Sequence, residues 1–84
     1  MSKTINVNKQ KPADFSSLAE SWPSSYVSRN EIERFSGGAI RAKTISNLDS
    51  KGAGIPGRIR CGRKIIYKVE NVIRYLESRS ALVD

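Results

Sequence analysis

The chain has 84 residues, with 15 Lys or Arg against eight Asp or Glu, no histidine, and a formal charge of +7. That length supports one small, marginally stable core and argues against a site of several buried charges held in strict geometry. Without histidine the commonest general base and metal ligand are missing, and Cys61 alone can neither close an internal disulfide nor build a zinc site.

A lone cysteine fits a reducing cytoplasm. The polar N-terminus resembles no signal peptide, and no apolar run approaches the roughly 20 residues that span a bilayer. A cytoplasmic protein without a membrane contact or a cofactor is expected.

Residues 1–13, rich in Lys, Asn and Ser with isolated Ile5 and Val7, read as a disordered arm. From Asp14 to Trp22, Phe15, Leu18 and Trp22 share a face at i, i+3, i+7 and could form one or two helical turns before Pro23. Residues 1–25 are thus read as a flexible arm with a short helix, 26–79 as the folded domain, and 80–84 as a tail. Ser28-Arg29-Asn30-Glu31 predicts a capping box, in which the serine oxygen accepts a backbone N–H and the glutamate reaches back. Val27 and Ile32 take the positions of a hydrophobic staple. In the helix so opened, Ile32 and Phe35 face inward while Arg29, Glu33 and Arg34 stay outside, and Gly37-Gly38 ends it.

A second helix is predicted from about Arg41 to about Ser50. Ala42, Ile45 and Leu48 form its apolar stripe, with Lys43, Thr44, Asn47 and Lys51 on the other side. Gly52 and Gly54 terminate it, and Ile55-Pro56-Gly57 turns the chain. Arg58–Cys61 and Lys64–Tyr67 are two strand candidates around Gly62-Arg63, a glycine turn that predicts a hairpin with Arg60, Arg63 and Lys64 at its tip. In the second strand Ile65 and Tyr67 face one way, Lys64 and Ile66 the other. A closing helix from about Glu70 to about Ser78 places Val69, Val72, Ile73 and Leu76 on one face and Asn71, Arg74 and Glu77 outside.

The charge is concentrated on the second helix and the hairpin. Residues 36–68 hold eight cations (Arg41, Lys43, Lys51, Arg58, Arg60, Arg63, Lys64, Lys68) and one acid, Asp49, so this stretch accounts for the net charge of the whole chain. A surface of this kind suits a polyanion of regular geometry, with double-stranded DNA as first candidate.

Helix, glycine turn, helix, basic hairpin and closing helix is the order of a small α+β winged helix: a helix-turn-helix unit, a two-stranded wing and a C-terminal helix. Gly37-Gly38-Ala39-Ile40, Thr44-Ile45, Asn47-Leu48-Asp49-Ser50-Lys51-Gly52, Gly54-Ile55-Pro56, Gly62-Arg63-Lys64 and Tyr67 resemble the excisionase-like winged-helix DNA-binding proteins of the MerR superfamily. These are small proteins of phages, integrative elements and plasmids. The resemblance runs over about 26–79, roughly two thirds of the chain. Where the family usually has Ser at the start of the second helix, this chain has Arg41. The resemblance implies a second helix in the major groove and a wing on the backbone or minor groove. It also implies DNA bending beside the attachment sites of a tyrosine recombinase (an integrase), which biases integration toward excision, or transcriptional regulation of the same mobile element.

Residue chemistry stands beside that resemblance. Asn47 can bond adenine through two atoms, Lys43 can donate to guanine O6 or N7, and Thr44 can meet a thymine methyl or a phosphate. Arg60, Arg63 and Lys64 suit phosphates, an arginine also fitting a narrow minor groove. Arg41, Lys51 and Arg58 complete the candidate DNA surface, and cooperative loading of several copies is expected. A single-strand or RNA binder should interleave aromatics with its cations, and a protein-interaction adapter should expose a large apolar patch. Tyr67 and Trp22 read as core or docking aromatics and Cys61 as a small strand filler. Glu31, Glu33, Asp49, Glu70 and Glu77 are expected at helix starts or outer faces, so no enzyme is expected.

Overall fold

Val27, Ile32, Ile45, Tyr67 and Val72 have no accessible surface, and each comes from a different element. The computed structural model describes residues 14–80; the arm expected over 1–13 and the tail beyond Ser80 lie outside the described residues. Among the described residues there are four helices: Ser17–Ser21 (α1), Ile32–Phe35 (α2), Ala42–Ser50 (α3) and Val69–Ser78 (α4). Three strands, Tyr26–Ser28 (β1), Ile59–Cys61 (β2) and Lys64–Lys68 (β3), form one antiparallel sheet in the order β1-β3-β2. The fold is thus a small α+β unit. None of the described helices is long and apolar enough to cross a membrane.

Side chains alternate across a pleated strand, so Val27 and its partner Tyr67 face the helices together with Ile65. Tyr26 and Ile59 lie on the opposite face, 41% and 38% exposed. Between β2 and β3, Cys61 pairs with Lys64 across Gly62 and Arg63. Gly62 has φ of +65° and Arg63 a negative φ, the sign pattern of a type II′ turn, whose twist matches that of paired strands. Cys61 ends β2 as the small strand residue expected and is exposed beside this turn.

The start of the domain departs from expectation. A helix opening at Ser28 was predicted; Ser28 instead ends β1, a third strand paired with β3 that the predicted two-stranded hairpin lacks. Its backbone is extended, and its hydroxyl donates to Glu31 Oε1 at 3.0 Å rather than accepting a backbone N–H, so no capping box forms. Arg29–Glu31 make one 3-10 turn, and only Ile32–Phe35 are α-helical. Val27 and Ile32 are buried as expected, but through the sheet and the short helix.

Both α2 and α3 end in a Schellman motif. Gly38 N–H donates to Glu33 O at 2.8 Å and Gly37 N–H to Arg34 O at 3.2 Å; Ala53 N–H donates to Leu48 O at 2.9 Å and Gly52 N–H to Asp49 O at 3.0 Å. The motif requires a left-handed residue after the cap, filled by Gly37 (φ +66°) and Gly52 (φ +74°). Ser36 holds the intervening turn, accepting Ile40 N–H at 2.9 Å. The second helix begins at Ala42, one residue beyond the predicted start, with Arg41 extended at the cap position and no side-chain cap.

On α3 the inward face centres on Ile45 and Asp49, one turn apart, with Ala42 and Leu48 half-buried beside them. Asp49 is 2% exposed, and this corrects its expected place on an outer face. Arg29, also expected outside, turns in to meet it: Arg29 Nη2 lies 2.7 Å from Asp49 Oδ2. Tyr67 OH donates to the same oxygen, and Ile55 N–H to Asp49 Oδ1 at 3.1 Å. Arg29 further donates through Nε to Tyr67 OH at 3.0 Å and through Nη1 to Ser46 Oγ at 3.4 Å. Gly54 passes so close that a Cβ there would lie 1.8 Å from Asp49 Oδ1.

The closing helix matches expectation, with Val69, Val72 and Leu76 buried and Ile73 packed against them. Phe15, Leu18 and Trp22 also pack on this core. The Trp22 ring meets Phe35 edge-on at 5.1 Å, its Nε1–H donates to Tyr26 O at 3.0 Å, and Phe15 N–H donates to Glu77 Oε2 at 3.1 Å. Glu77 therefore holds α1 against α4 rather than standing free on an outer face.

Removing Arg29 leaves the Asp49 charge buried without its cation, so Arg29→Ala is expected to cost about 3–5 kcal/mol in urea unfolding. Gly54→Ala, which displaces the same carboxylate, should act in the same direction. Ser46→Ala removes only a long contact and should cost less than about 1 kcal/mol. Equal losses for Arg29→Ala and Ser46→Ala would contradict this network.

Candidate nucleic-acid interface

Because Ile45 and Asp49 face inward, the opposite side of α3 presents Lys43, Asn47 and Lys51 in one row at i, i+4, i+8, with Arg41 and Thr44 beside it. All five are exposed. The helix has nine residues, about 13 Å at the α-helical rise. The spacing places two flexible cations around a side chain able to donate and accept at once.

In the hairpin, Arg60, Arg63 and Lys64 are all exposed, because β2 projects beyond the core and buries none of its residues. Arg60 lies opposite Ile65 on one face, Lys64 opposite Cys61 on the other, and Arg63 occupies the turn between them. The tip thus carries a cation on each face and one at its end.

Arg58 differs from the other candidates. Its Nη1 donates to the Asp49 carbonyl at 2.5 Å, so it closes the C-terminus of α3, where backbone carbonyls lack helical partners and the dipole favours a cation. One arm of Arg58 is therefore a structural tie between the root of the hairpin and α3. Among the described residues, the ion pairs formed are Arg29–Asp49 and Arg34–Glu31. Arg41, Lys43, Lys51, Arg60, Arg63 and Lys64 join none of them.

Reading the sequence by periodicity missed Arg29, Asp49 and the Tyr67 hydroxyl, which together fix the angle between helix and hairpin. One signal was present: Asp49 is the sole acid among the cations of residues 36–68. Burial opposes the Arg29 charge, but the hydrogen bonds to Tyr67 and Asp49 outweigh it and raise the guanidinium pKa further. Burial, reinforced by the Asp49 carboxylate, pushes the Tyr67 phenol up to about 12 against the opposing pull of Arg29. Tyr67 therefore stays a donor well above neutral pH. Among the described residues no three His, Cys, Asp or Glu side chains lie close enough to hold a metal ion.

No family model matches the chain, and no curated protein or solved structure matches it either.

A phenol whose folded pKa is raised above its unfolded value of about 10 contributes stability that is complete below pH 10 and is lost as pH rises through about 12. Two units correspond to up to about 3 kcal/mol. Phenolate absorbance should show a tyrosine ionising near pH 12 that is absent from Tyr67→Phe, and the same substitution should remove the loss of stability between these pH values. Absence of a tyrosine ionising near pH 12, or its persistence in Tyr67→Phe, would contradict the assignment.

Proposed function

We propose that this protein binds double-stranded DNA sequence-specifically as a small winged helix, with α3 in the major groove and the β2–β3 hairpin as the wing on the backbone or minor groove. The carrying observation is the set of six exposed cations, free of ion pairs among the described residues, on two elements joined by one buried anchor. The order α2, glycine break, α3, hairpin, α4 is compatible with that fold, as is a sheet completed by a short strand before α2. Arrays of unpaired cations repel one another, and a polyanion relieves that repulsion with release of its own counterions.

Within this surface the work divides. Lys43, Thr44 and Asn47 face base edges, Arg41 and Lys51 meet backbone at the two ends of α3, and Arg60, Arg63 and Lys64 meet phosphates or a narrow minor groove. Arg58 adds charge near the backbone through the part of its guanidinium that does not hold α3. The reading is of a binding protein and not of an enzyme. By its resemblance in Gly37–Ile40, Asn47–Gly52 and Gly62–Lys64 we assign it as an excisionase, a recombination directionality factor that bends DNA beside integrase sites. Copies load cooperatively there and act with a tyrosine recombinase. A transcriptional regulator of the same mobile element would use the same surface, and a bending and excision assay with the integrase encoded beside it separates the two roles.

Gel shifts at matched salt should show duplex DNA preferred over single-stranded DNA and RNA. With about four to six phosphates neutralised, log K should fall against log salt with a slope of roughly −4 to −5. Replacing Arg60 and Arg63 by Ala should weaken binding to every duplex, whereas Asn47→Ala should chiefly relax sequence preference, by about 1–3 kcal/mol at one base pair. Absence of a duplex preference would overturn the reading; equal loss on all sequences for both variants would overturn the division of roles.

A further inference from the structure

Strand β1 stops at Ser28, opposite Ile66, while β3 begins further toward the hairpin tip, at Lys64. The chain leaving β1 turns through the 3-10 turn, and between this turn and the projecting hairpin lies a cleft of about 130 Å³. Ser28, Arg29 and Asn30 line it from the turn, and Arg63, Lys64 and Ile65 from the hairpin. That is room for one phosphate group.

The charges around the cleft favour an anion. Glu31, the carboxylate nearest in sequence, is turned to the Ser28 hydroxyl at 3.0 Å and to Arg34 at 3.4 Å. Asp49 is covered by Arg29 and Tyr67. Arg29 uses one N–H on each of its three nitrogens, which leaves two of the five donors of a guanidinium. Asn30 is exposed and makes no side-chain hydrogen bond among the described residues, and Arg63 and Lys64 form no ion pair there.

We propose that this cleft holds one phosphodiester of the DNA backbone, with the Asn30 amide donating to it and Arg63 and Lys64 supplying the charge. The proposal rests on the duplex-binding reading above and deepens it by assigning one phosphate to the junction of turn and wing. Arg29 ties that junction to α3 through Ser46 and Asp49. A phosphate seated there therefore fixes how far along the groove the reading helix lies.

The test uses a duplex that the full chain selects from a random-sequence pool. It is resynthesised with one uncharged methylphosphonate at each backbone position in turn and titrated with the native protein and with Asn30→Asp. The Asn30 side chain has no hydrogen bond to lose among the described residues, and an unchanged thermal midpoint confirms that the variant is folded. At one position, neutralisation should weaken native binding roughly tenfold while leaving Asn30→Asp, already weaker on the unmodified duplex, nearly unaffected. The same factor of loss for both proteins at every position would overturn the cleft assignment while leaving duplex binding intact, as would native-like affinity of Asn30→Asp. A selection that enriches no duplex would overturn the reading itself, and the cleft with it.

Discussion

The Asp49 carboxylate is the constraint on which the arrangement depends. It lies at the last turn of α3, 2% exposed, and takes donors from the 3-10 turn (Arg29), the central strand (Tyr67) and the loop after α3 (Ile55). Its backbone carbonyl takes Arg58 and Gly52 as well. Burying a carboxylate is unfavourable unless its lone pairs are filled. Filling them here brings four separate parts of the chain to one point. The stabilisation is asymmetric: the complete set contributes little beyond an apolar core of the same shape, but any missing member leaves a costly unpaired charge. Such a network selects one geometry over its neighbours.

That geometry has a consequence at the surface. The cations of α3 and of the hairpin repel each other and, left alone, would drive the two elements apart. Arg58 at the hairpin root and Tyr67 in the strand behind it are both bonded to Asp49, so the separation of helix and hairpin is set from inside. Two charged surfaces held at a fixed angle lose little conformational freedom on meeting a rigid partner, which leaves more of the contact energy available for binding.

Much of this was legible in the chain. The Val69/Val72/Leu76 face, the Gly37-Gly38 stop, the start of α3 near Arg41 and the turn at Gly62-Arg63 all follow from local rules of period and backbone conformation. Strand β1 did not, because Tyr26–Ser28 is too short to show alternation and its partner Tyr67 lies 40 residues away. Ser28 and Glu31 matched a capping box in type and spacing, yet the extended backbone of β1 directed the hydroxyl to the glutamate itself. Arg29 and Asp49 read as surface residues because charge is normally outside; only the long-range pairing with Tyr67 makes the interior habitable for them. The exposed row Lys43, Asn47, Lys51 and the tip Arg60, Arg63, Lys64 were visible from sequence, whereas the double use of Arg58 required the fold.

On the proposed function, α3 and the hairpin form one surface for duplex DNA. Amide chemical-shift mapping of the labelled protein on titration with its selected duplex tests it most directly. Shifts should concentrate together in Arg41–Lys51 and Ile59–Lys64, with the buried face of α4 little changed. Shifts confined to α1 and α4, or to the exposed sheet face around Tyr26 and Ile59, would contradict it.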